Sequence, residues 1–165
     1  MKPFARCFGI FGALLLTAWG CIDQSPSPKR YVDRKLNARE AKAVQQILLQ
    51  GTPKPRLLLN ATLTEPGQGP AVVLYGADIK PWPMRRGEAA EVTLYYKPLR
   101  QMKLLWRTFL HLQGDPGPRG AFTNLDEAQD PTARLYHSRN WQVGKFFGYT
   151  FRFTCPADLP NNQAY

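Results

Sequence analysis

Cysteine, histidine and acidic residues are all scarce in this chain of 165 residues. Of three cysteines, Cys7 and Cys21 stand near the N-terminus, which leaves Cys155 alone in the remainder. With Cys7 expected to leave with a signal and Cys21 to carry a lipid, the solitary remaining thiol cannot close an internal disulfide, whatever the redox compartment. Phe153, Thr154 and Pro156 surround Cys155 and supply no base. It therefore reads as a small core residue at a strand end, not as a thiolate nucleophile. Two histidines, His111 and His137, are too far apart for a zinc pattern. No nucleophile elbow, phosphate loop, HExxH or CxxC occurs. These absences predict a non-catalytic protein with neither metal nor cofactor. Acid is also short: 12 Asp and Glu stand against 22 Lys and Arg, a formal charge of +10.

The single long apolar run is Phe8–Leu16, with Lys2 and Arg6 before it. It has the length of a signal h-region and is too short to span a bilayer as a helix. The following Thr17-Ala18-Trp19-Gly20-Cys21 resembles the end of a bacterial lipoprotein signal, with Cys21 as the acylated residue. An ordinary secretory signal and an uncleaved N-terminal anchor are the alternatives. Ile22 after the cysteine resembles the outer-membrane sorting pattern of such lipoproteins. Loss of residues 1–20 removes Lys2 and Arg6, leaving 20 basic and 12 acidic residues and a charge of +8. Residues 21–36 read as a tether, with Pro and Ser followed by Lys29, Arg30, Arg34 and Lys35. Those cations suit an anionic headgroup surface or envelope polymer, unless they are merely solvated. An exported, tethered chain rarely meets nucleic acid, and no stacking-plus-basic motif is present.

Residues 37–51 predict one amphipathic helix. Asn37 is a good N-cap and Glu40 completes a capping box. Val44, Ile47 and Leu48 form its apolar stripe, Gly51 stands at the expected C′ position, and Pro53 stops continuation. The stripe suits either one face of the domain or the membrane surface.

From Pro53 onward, 15 Pro and 13 Gly in the whole chain punctuate short segments of strand character. Leu57–Leu63 and Ala71–Ile79 are predicted strands separated by Glu65-Pro66-Gly67-Gln68-Gly69-Pro70. Gly76 suggests a bulge or a close backbone approach. Ala89–Lys97 and Lys103–Gln113 alternate in polarity and are predicted to pair as an antiparallel hairpin. The Gly- and Pro-rich stretch from Gly114 to about Ala133 predicts a long exposed loop. Phe146–Thr154 resumes the alternation. The expected fold is mainly β, an antiparallel Ig-like or jelly-roll-like sandwich over residues 54–165.

Several pieces, taken in order, resemble a β-sandwich domain of bacterial envelope proteins. That domain is a soluble appendage of membrane-embedded, polyprenyl-phosphate-sugar-dependent glycosyltransferases. The pieces are Val73-Leu74-Tyr75-Gly76-Ala77-Asp78, Arg86-Gly87-Glu88 with Val92-Thr93-Leu94-Tyr95-Tyr96, and Phe109-Leu110-His111-Leu112. Asp130-Pro131 with Tyr136 and Trp141-Gln142-Val143-Gly144 continue the series, as does Cys155-Pro156-Ala157-Asp158-Leu159-Pro160. The resemblance implies a fold rather than a chemistry. It also implies a closing strand where this sequence ends at Tyr165, so the sandwich is either short of its last strand or strands or the chain is a fragment.

The remaining candidates are weak by residue type. His111 is expected to be a structural histidine within a strand, and His137 a surface residue. Asp126, Glu127 and Asp130 could offer oxygens to calcium, or simply be solvated. Trp82, Tyr136 and Trp141 either plug the end of the sandwich or, if exposed together, stack on a sugar ring. Trp106 is expected in the core. The function expected is a lipid-anchored envelope protein with a non-catalytic interaction or structural module. A glycan-binding module is the alternative. The partners are the membrane, through the lipid, and an envelope protein or glycan.

Overall fold

The computed structural model describes residues 35–113, 122–125 and 128–157. The signal, Cys21 and most of the tether lie outside them, as do Asp126, Glu127 and the chain after Ala157. Order along the chain is α1 (Ala38–Ile47), β1 (Leu57–Glu65), β2 (Gly69–Lys80), β3 (Ala89–Pro98), β4 (His111–Gln113), β5 (Phe122–Asn124), α2 (Thr132–Leu135) and β6 (Phe147–Thr154). The architecture is mainly antiparallel β. One four-stranded open sheet runs β1-β2-β3-β6, and β4 and β5 form a separate ribbon.

The start of α1 is written locally. Asn37 Oδ1 accepts from the Glu40 amide and Glu40 Oε2 accepts from the Asn37 amide, both at 2.9 Å. That reciprocal pair satisfies two otherwise orphaned helix-start donors. The end differs from expectation. The helix stops at Ile47, and Leu48 turns extended to bridge Phe147 on β6, so no glycine cap at Gly51 is used. Val44 is buried in the core and Ile47 and Leu48 pack against it, so the stripe docks on the domain.

The β1–β2 turn uses glycine where the backbone demands it. Gly67 and Gly69 have φ of 68° and 78°, and the Gln68 amide donates to the Glu65 carbonyl. At Gly76 both expectations hold. The β2–β3 register shifts between Leu74 and Gly76, and a Cβ on Gly76 would fall 2.5 Å from the Leu57 carbonyl oxygen and into the Pro55 ring. Pro55 thus lies over Gly76 at the end of the connection that carries the chain from β6's side to β1.

The expected hairpin between Ala89–Lys97 and Lys103–Gln113 does not form. β3 pairs with β2 on one side and β6 on the other, while only His111–Gln113 is strand, paired with Phe122–Asn124. The described parts of the 99–146 connection between β3 and β6 instead fold back over one sheet face. That face presents Val72, Leu74, Ala77, Ile79, Val92, Leu94, Tyr96, Phe147, Tyr149 and Phe151, all buried. Met102, Trp106, Leu110, Leu125, Ala133, Tyr136 and Trp141 join them in one core. Period-two burial on β3 and β6 is what an antiparallel sheet with one covered face requires.

Candidate interaction surface

The candidate residues separate cleanly once their positions are known. Trp141 and Tyr136 are 5% and 2% exposed. The Trp141 ring packs 4.9 Å from Phe147 and stacks 6.1 Å from Tyr96. Its indole N–H donates to the Tyr149 hydroxyl at 2.8 Å and to the Tyr136 carbonyl at 3.1 Å. The Tyr149 hydroxyl bonds the same carbonyl, and the Tyr136 hydroxyl accepts from the Gln142 amide at 2.8 Å. The polar tips of Trp141, Tyr149 and Tyr136 therefore each have a partner, as buried tyrosine and tryptophan usually do. The buried Trp106 indole N–H, by contrast, has none among the described residues. Burial pushes the Tyr96 and Tyr136 hydroxyls above their ordinary pKa, so both stay neutral.

Trp82 is elsewhere. It follows Lys80, which pairs with Glu91, whereas the Phe147 beside Trp141 pairs with Tyr96. Those β3 positions are about 16 Å apart at the usual rise per strand residue. Trp82 is half-buried with the Arg56 guanidinium 5.5 Å above its ring. No shared sugar-stacking face exists among the three.

His137 corrects a second expectation, being buried rather than on the surface, with Nε2 beside Asn140 Nδ2 at 3.3 Å. Ser138 next to it is fully buried and ties the Trp106 amide to the Leu104 carbonyl. That bond pair leaves its hydroxyl structural. His111 is half-buried on β4 near Phe109, and Cys155 is buried after β6, where burial raises its thiol pKa. Asp130 accepts from the Thr132 amide and from Arg152, so it serves the fold. Among the described residues no three His, Cys, Asp or Glu converge as metal ligands.

What distinguishes one region from the rest is the treatment of the two sheet edges. On β6 the outer edge is occupied: the Leu49 amide bonds the Phe146 carbonyl at 2.9 Å and the Asp130 amide bonds the Thr150 carbonyl at 2.8 Å. Bridges Leu48–Phe147 and Gln129–Phe151 accompany these bonds. On β1 the outer edge meets no backbone partner among the described residues. Nearly the whole strand is exposed, with Leu58 at 59% and Leu59 at 38%. Its one charge, Glu65, points inward and is buried, so the exposed part of the edge carries no charge. A one-residue bulge between Leu58 and Ala61, with Asn60 at φ 49°, interrupts the ladder; Ala61–Leu63 then pairs regularly with β2. At the strand's start Lys54, Arg56 and Lys80 form an exposed basic corner. Asp78, the nearby carboxylate, is engaged by the Arg56 amide at 2.7 Å and the Tyr95 hydroxyl at 2.8 Å.

No protein-family model matches the chain, and neither a curated protein nor a solved structure does.

The far end of β1 is held by a buried carboxylate that sequence reasoning passed over. Glu65 accepts from Arg100 Nη2 at 2.5 Å, from the Leu104 amide at 2.6 Å and from the Lys103 amide at 3.1 Å. Burial by itself raises the Glu65 pKa, but the amides and guanidinium outweigh it and hold the carboxyl below its usual value. The only sequence-level signal was an acidic residue at the strand-to-turn junction, which is ordinarily solvated. The open edge had no signal either, because strand order is not written in period-two alternation.

Proposed function

We propose that this protein is an exported, lipid-anchored protein of the cell envelope whose β domain is a non-catalytic interaction module. The leader pattern ending in Cys21 supports the anchor, and the Pro/Ser tether supports a domain held off the membrane. The observation that carries the interaction reading is the unequal edge treatment. A strand whose residues 57–64 carry no charge and are mostly exposed, beside a fully buried core, is a feature proteins ordinarily blunt unless something covers it. In this reading the four-stranded sheet and the β4–β5 ribbon are the two layers of a sandwich, one of them short. The outer membrane is the proposed location.

Fractionation tests the anchor. The native chain is expected in the membrane fraction, and Cys21→Ser in the soluble envelope fraction, because acyl chains supply most of the membrane affinity. Membrane retention of Cys21→Ser would overturn the lipid anchor. In-cell crosslinking from residues spread over the domain tests the module: adducts to one envelope protein from a confined patch support it, and their absence from every position overturns it.

A further inference from the structure

Resting on the interaction reading above, we propose that the outer edge of β1 receives an extended segment of a partner protein, added antiparallel to Leu57–Thr64, whose acidic residues lie at the end beside Lys54, Arg56 and Lys80. Main-chain bonds from the added strand occupy the outer edge of β1, which has no backbone partner among the described residues, the general mode of strand addition to a sheet edge. Antiparallel pairing continues the pattern of every ladder in the sheet. Leu58 pairs with Gly76 and projects from the uncovered face, so an apolar side chain on the incoming strand finds a partner there.

Charge decides the occupant. Asp78, which accepts from the Arg56 amide and Tyr95, offsets one of these three cations, and Glu91 across from Lys80 is ion-paired to Arg152, so the corner keeps a net positive charge. The Arg56 guanidinium is held in place over Trp82. A second copy pairing antiparallel would set its Thr64–Glu65 end beside this corner, where the one carboxylate is buried on Arg100, and so would offer the corner no acid. The Asn60 bulge also breaks the flat run that two identical edges need for mutual pairing. An acidic extended segment meets neither obstacle.

The experiment uses the full chain in detergent and two ten-residue probes of alternating valine and serine. One ends in two glutamates at its C-terminus, the other in two lysines. Hydrogen exchange over residues 57–65 is read at low and high salt. The glutamate probe is expected to slow exchange there and the lysine probe not to, with the difference shrinking as salt rises. Lys54→Glu with Lys80→Glu, both exposed and outside the core, should weaken the glutamate probe roughly three- to tenfold and strengthen the other. Unchanged exchange with both probes at millimolar concentration overturns strand addition. Equal protection by both probes overturns the acidic class. Protection that appears without probe and disappears on dilution makes a second copy the occupant and overturns the proposal. None of these readouts depends on Cys21. Crosslinks confined to another face, such as the outer side of α1, would sink this inference and leave the interaction reading intact.

Discussion

The two faces of the four-stranded sheet are built from different forces. On the covered face Leu94, Tyr96, Phe147 and Phe151 bury almost all of their surface, and each side chain of that size contributes about 1.5–3 kcal/mol on leaving water. On the other face the cross-strand contacts are polar and partly wet. Thr93 and Thr150 hydroxyls meet at 3.0 Å, Tyr95 donates to Asp78, and Arg152 joins Glu91 to Asp130. Burial and the Asp78 carboxylate push the Tyr95 hydroxyl up to about 12, so it remains a donor at any physiological pH. The covered face therefore supplies most of the stability, and the open face adds polar contacts between neighbouring strands.

Four changes probe that division, in descending order of effect. Phe147→Ala should cost about 3–5 kcal/mol in chemical denaturation, because it removes the centre of the aromatic cluster and leaves Tyr96, Tyr136 and Trp141 around a void. A loss below 1 kcal/mol would mean that the cluster is not the core. Glu65→Gln should cost about 2–3 kcal/mol at neutral pH, since two amides and Arg100 lose their anionic acceptor. Arg100 is partly solvated, which keeps the figure below that of a fully buried pair.

The same substitution tests a pH dependence. Glu65 and Asp130 both have folded pKa values below their unfolded ones, so the unfolded chain binds more protons. Their stabilisation is complete above the ordinary carboxylate range and is lost as pH falls through and below it. Denaturation midpoints should drop from about pH 5 downward, and Glu65→Gln should flatten that fall. An equally steep acid limb in Glu65→Gln would assign it to other carboxylates.

Gly76→Ala should destabilise by about 1–3 kcal/mol, because the new methyl meets the Leu57 carbonyl and Pro55 and the connection over the open face must shift. Last, Arg152→Ala should change stability by no more than about 1 kcal/mol despite its two ion pairs, both of which are largely in water. A cost near that of Phe147→Ala would erase the contrast between the faces.

Much of this was legible without coordinates, and for local reasons. The capping box at Asn37 and Glu40 sits within one turn of helix, so its residues suffice to place it. Strands β3 and β6 follow from alternation, since a face that must be buried writes itself at every second position, while β1 and β2 follow from strand-forming runs set off by the 65–70 turn. Gly76 announced its bulge because only a residue without a side chain fits beneath Pro55. The candidate site was less legible. Trp82, Tyr136 and Trp141 could be named as aromatics near turns, but exposure depends on which chain segment lies across them. Lys103–Leu110 shows why: it alternates like a strand yet forms no named strand, because it lies across the core as a cover with Trp106 and Leu110 inward.

Residue order by itself settled the β class, the single capped helix and the inward rows, because those depend on neighbours within a few positions. Only the tertiary structure decided that β6, not the 103–113 segment, lies against β3, and that one sheet edge is closed while the other has no backbone partner among the described residues. Backbone N–H and C=O groups are the same at every residue except proline, which lacks the N–H. Which strands share them is therefore settled by how the whole chain packs, and the open edge of β1 is a product of that packing.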